Sequence, residues 1–224
     1  MGVIAEKIHD IGRLRIKIRS YRPIAFSVLP AILLCLFVKF QPWVSPWVMM
    51  ADPIVYLKGE VYTGAISNLG AIMWMCAASI ALFAGVVLVR MQNSTEYGKF
   101  LLHLGILTVA LSFDDFFLIH DVIAPYLGID EKIIYALYAL FSVFIFLRFP
   151  REILTTDNFL LLLGFFLFGA SIFLDVLPFS GPTVGFLEDA CKFVGIVAWS
   201  TYLVRASWMT LSQNKPILKY GKES

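Results

Sequence analysis

Six long apolar runs decide what this chain can fold into: residues 23–40, 65–90, 100–124, 132–149, 158–178 and 186–209. A hydrocarbon core of ~30 Å takes about 20 apolar residues to cross as a helix. A backbone surrounded by hydrocarbon must satisfy its own hydrogen bonds, and these runs are too long and too uniformly apolar for barrel strands. The expected fold is therefore all-α, a polytopic membrane bundle of six transmembrane helices. Its span domain is 23–209, between a basic segment 1–22 and a basic tail 210–224. Composition agrees: 59% of residues are hydrophobic and 15% charged, against about 45–50% and about 25% in soluble domains.

Lysine and arginine set the orientation. The first segment carries Lys7, Arg13, Arg15, Lys17, Arg19 and Arg22; the second and fourth loops carry Arg90, Lys99, Arg148 and Arg151; the tail carries Lys215, Lys219 and Lys222. The alternate loops hold only Lys58 and Lys132. Positive charge stays on the cytoplasmic side, so both termini are expected there, in a plasma membrane or a bacterial inner membrane. Ile4, Ile8, Ile11, Leu14 and Ile18 recur at helical spacing among the basic residues, the pattern of a short amphipathic helix lying on an anionic leaflet. The net charge of +2 implies no nucleic-acid partner. The bilayer is the partner the sequence names.

Smaller features read as packing. Ala77, Ala81 and Gly85 recur every four residues, spacing that lets two helices approach closely. Cys35, Cys76 and Cys191 all lie in apolar runs with no CxxC pair, which argues against a disulfide framework and for small buried hydrophobes. His103 reads as a satisfied interior residue, and Arg205 as a side chain snorkelling to the cytoplasmic interface.

The chemistry is concentrated at one end. Span 3 carries Asp114, Asp115, His120 and Asp121; span 5 carries Asp175; span 6 opens with Glu188, Asp189 and Lys192. At 1.5 Å per residue, Asp114 and Lys192 fall roughly 10 Å below the outer boundary, and Asp175 and Glu188 roughly 5 Å below it. Ionisable groups at membrane depth are costly and mark sites, so a shared outward-facing site is expected. On an unbroken helix Asp114 and Asp121 share a face, and His120 lies on another flank. Lys192 is the internal counter-charge, within reach of Glu188 and Asp189 on its own helix or of Asp114 and Asp115 across the bundle.

Three readings fit that set. Asp114, Asp115, His120, Asp121, Asp175, Glu188 and Asp189 suit a divalent cation of unassigned identity, or protons. Asp114, Asp115 and His120 are also candidate catalytic groups for metal-dependent hydrolysis of a lipid at the outer leaflet. The third reading is a buried salt-bridge network in a non-catalytic subunit of a larger membrane complex.

Overall fold

The computed structural model describes residues 22–50, 53–60, 62–91, 95–176 and 181–213. The expected amphipathic helix before Arg22 and the tail lysines lie outside the described residues. Every regular element among the described residues is helical. The chain divides into two compact units, Met1–Thr63 and Gly64–Ser224.

In the first unit, helix α1 (Arg22–Phe40) is followed by the short helices α2 (Pro46–Met50) and α3 (Pro53–Leu57). Both short helices begin on proline, whose missing N–H costs nothing at a first helical position. The stretch from Gln41 to Gly64, between the first two apolar runs, is thus partly helical. The Gln41 side-chain oxygen accepts the backbone N–H groups of Trp43 and Val44 at 2.8 and 2.9 Å, closing the turn after α1.

The second unit holds α4 (Ala65–Arg90), α5 (Thr95–Phe117), a π-helical turn (Ile119–Ile123), α6 (Ala124–Tyr126), α7 (Glu131–Arg148), α8 (Pro150–Leu154), α9 (Asn158–Val176) and α10 (Pro182–Gln213). Four breaks are chemical. Gly64 and Gly128 take φ of 69° and 77°, Asp130 caps α7 by accepting the Lys132 backbone N–H, and Pro150 starts α8. Helix α10 runs four residues beyond the expected end of the last span. Among the described residues, three helices are long and apolar enough to cross a membrane: Ala65–Arg90, Thr95–Phe117 and Asn158–Asp175. Helix α7 has 18 residues and carries Glu131, Lys132 and Arg148.

Helices α4 and α5, α9 and α10, and α10 and α4 form the main packings. The closest is α4 on α5. A Cβ at Gly85 would lie 2.9 Å from the Gly98 carbonyl oxygen, and one at Gly98 would lie 2.9 Å from the Gly85 oxygen. The two backbones touch there, and the expected small-residue stripe Ala77, Ala81, Gly85 is buried in the contact. Large side chains point the other way: Phe83, Leu147, Phe166 and Trp208 are exposed, while Thr108, Ser112 and Ser207 are buried. This inverted distribution suits a bundle whose surroundings are as apolar as its core. It also corrects the expectation for the cysteines. Cys35 and Cys76 are exposed and Cys191 is half-buried, all three as free thiols.

Opposite the acidic end, charged pairs tie the helices together. Glu96 binds Lys99 and Arg148, each at 2.8 Å. Arg205 does not stand free: it pairs with Asp157 at the start of α9. These pairs are exposed, where such bridges contribute little to stability. Tyr97–Thr155 and Thr156–Tyr202 hydrogen bonds at 2.7 and 2.8 Å add to the clamp.

Candidate functional site

The sequence Phe116-Phe117-Leu118-Ile119 holds neither Gly nor Pro, yet α5 ends there. Leu118 adopts φ 52° and ψ 47°, a left-handed conformation that costs an L-residue roughly 1–2 kcal/mol. The chain then makes one π-helical turn, a device that recurs at functional sites. The π turn brings His120 back onto Asp114. One carboxylate oxygen of Asp114 accepts the His120 backbone N–H at 2.9 Å, and the other lies 2.6 Å from Nδ1. An ionised carboxylate only accepts, so opposite an ionised Asp114 the proton of this pair sits on Nδ1. The remaining ring nitrogen, Nε2, lies 3.2 Å from Asp121 Oδ1. Asp114 and His120 are buried, while Asp121 is about half exposed.

One residue along, Asp115 forms a separate unit. Its Oδ1 pairs with Lys192 of α10, so the lysine reaches across the bundle and not to Glu188 or Asp189 on its own helix. Asp115 Oδ2 is buried with no hydrogen-bond partner.

Both units face a cavity of about 480 Å³. Asp114, Asp115, Asp121, Asp175, Glu188 and Asp189 all line it, with Lys192 and His120. The convergence of spans 3, 5 and 6 read from the sequence therefore holds for every candidate side chain. Asp175 and Asp189 are exposed and Glu188 half-buried at the cavity's edge. No three His, Cys, Asp or Glu among the described residues are grouped so as to hold a metal ion. The candidate ligands are instead divided between the Asp114–His120–Asp121 chain, the Asp115–Lys192 pair and three acids without an ion pair among the described residues.

A family model described as "Domain of unknown function (DUF8692)" matches residues 25–206. The chain belongs to the DUF8692 family. The matched range includes every residue of the cavity wall. Neither the curated proteins nor the solved structures contain a match to the chain.

Aromatic residues of this DUF8692 chain complete the wall, and the sequence reading passes over them. Trp74 of α4 packs on Phe168 at 5.3 Å between ring centroids, and Trp199 of α10 packs on Phe165 at 4.9 Å. Trp199 also donates its indole N–H to Thr108 at 2.8 Å. The Tyr135 ring packs at 5.1 Å from the His120 ring. The available signal was position. Tryptophans of membrane helices collect at the interfaces, whereas Trp74 and Trp199 fall near the middle of their apolar runs.

Proposed function

We propose that the chain is a six-span integral membrane protein with both termini cytoplasmic, whose outward-opening acidic cavity exchanges protons through Asp114, His120 and Asp121. One observation carries this reading: a single imidazole stands between two carboxylates on a cavity wall. A neutral ring has one N–H, so it satisfies one carboxylate at a time, and serving both takes a second proton. The group thus has two proton counts with different hydrogen bonding. Asp115 and Lys192 supply a fixed, neutralised pair beside it.

Protons fit this arrangement better than a divalent ion, because both ring nitrogens already face carboxylates. Exchange with one side only is favoured by what lies toward the other end of α5: Phe100, Leu101, Leu104 and Leu107 are fully buried and apolar. Hydrolysis of an outer-leaflet lipid is a second reading. It is favoured by Nε2 facing the cavity beside Asp121, where the ring could take a proton from water.

The chain has three histidines, so ring-nitrogen NMR of the labelled protein in nanodiscs, with His120→Gln as the assigning variant, tests the proton site. The His120 signals are expected to respond to pH between about 5 and 8, and Asp114→Asn to alter that response. A ring silent over the range, or stoichiometric metal by elemental analysis, would overturn proton exchange.

The topology has its own test in a chain with Cys35, Cys76 and Cys191 replaced by alanine. Gly128→Cys should react with an impermeant maleimide from outside, and Arg151→Cys only after permeabilisation. The reverse pattern would invert the orientation.

A further inference from the structure

The cavity has two chemically distinct parts. Against α9 and α10 it is walled by Phe165, Phe168, Ile172 and Trp199, with Trp74 packed on Phe168. At its edge it carries Asp121, Asp175, Glu188 and Asp189, while the lysine on its wall is already engaged by Asp115. A volume of about 480 Å³ lies within the ~300–1,000 Å³ range of sites that hold small organic ligands. An apolar chamber under an acidic rim selects for an apolar body bearing a positive head.

Two unsatisfied atoms refine that choice. Trp74 is 4% exposed and Asp115 6% exposed, and both line the cavity. Trp74 Nε1 and Asp115 Oδ2 are buried without a hydrogen-bond partner. Buried polar groups are nearly always paired. A donor is missing for the carboxylate oxygen and an acceptor for the indole N–H. An ammonium supplies the first, and a hydroxyl oxygen on the same molecule supplies the second.

We infer that the cavity binds a cationic amphiphile, an ammonium-bearing molecule with a hydroxyl group and a single apolar tail. The inference rests on the reading of this cavity as the functional site. The ammonium is held between Asp115 and the rim acids, the tail lies against the aromatic wall, and the hydroxyl reaches Trp74.

The test is thermal unfolding of the protein in neutral phosphatidylcholine nanodiscs, since a ligand that binds only the folded state raises the midpoint. Decylamine, 2-amino-1-decanol, decanol and decanoate are compared at equal concentration below micelle formation. The two amines are expected to raise the midpoint saturably, and decanol and decanoate to leave it unchanged. The amino alcohol should bind about 2–10-fold more tightly than decylamine, the worth of one hydrogen bond, and Trp74→Phe should erase that difference. Asp175→Asn/Glu188→Gln removes two rim charges without touching the packed interior, and should weaken both amines at least about tenfold.

Equal effects from all four probes would show apolar partition only and overturn the inference. So would unaltered amine binding in the rim variant. If no amine binds while the His120 ring still titrates, the ligand class is wrong and the proton site stands. If the ring is silent as well, both fail together.

Discussion

Lys192→Met is expected to destabilise the protein by about 3 kcal/mol, near the lower end of the ~3–5 kcal/mol range for removing one partner of a buried pair. The reason lies in what is left behind. The Asp115 side chain is 4% exposed, and its Oδ2 already lacks a partner. Without Lys192 both oxygens are orphaned in a wall of aromatic and aliphatic groups. The Lys192 side chain is 31% exposed, which leaves a route for water and places the effect at the lower end. The double variant Asp115→Leu/Lys192→Met should recover most of the loss, because a pair replaced by apolar groups leaves no uncompensated charge. Reversible unfolding of wild type, both single variants and the double gives the coupling energy. Stability unchanged in Lys192→Met would mean the pair does not hold α5 to α10.

Gly98→Val is expected to disrupt the α4–α5 crossing more severely. Added bulk in a packed core costs typically about 1–3 kcal/mol and occasionally more when only side chains must yield. Here the new Cβ would lie 2.9 Å from the Gly85 oxygen and 2.9 Å from the Val89 nitrogen. Both are backbone atoms of α4, so the helices must separate. Separation would also pull Ser112 from the Ala71 carbonyl, its acceptor at 3.0 Å, and move Asp114 and Asp115 relative to Trp74. The expected result is a loss of more than about 3 kcal/mol, read as a lower unfolding midpoint and poor recovery of folded protein. Gly169→Val is the control, since a Cβ there meets nothing within 4 Å. Equal stability of Gly98→Val and Gly169→Val would mean the close approach of α4 and α5 contributes little.

The helices were legible because six apolar runs separated by Pro, Gly and polar residues leave the backbone few alternatives, and the observed helix ends fall close to that punctuation. The shared end of the acids was legible too, since alternating spans put Asp114, Asp175 and Glu188 at one level before any packing is known. The pairings inside the cluster were hidden. Helix arithmetic treats residues 100–124 as one straight rod, and nothing in Phe-Phe-Leu-Ile announces a left-handed residue. That conformation is held by tertiary structure, in which the Asp114 carboxylate takes two hydrogen bonds from His120. Lys192 had four acids within reach in the sequence, and only the crossing of α10 over α5 selects Asp115. The partner of Arg205 was hidden for a related reason: Asp157 precedes α9 by one residue, and its nearness to α10 depends on how those two helices pack.

The π turn has a consequence for charge. On an uninterrupted α-helix, position 121 falls about 20° from position 114 and position 120 about 120° away. Two carboxylates would then share a single stripe, about 10 Å apart along the axis, with the imidazole on another flank. Helical phase is lost at Leu118, and with it that arrangement. The neighbour of Asp114 becomes an imidazole, and Asp121 meets the far edge of the same ring. The result is an alternating acid–base–acid file. The conformational cost at one leucine places an imidazole between two carboxylates that the linear order of the residues would otherwise leave apart.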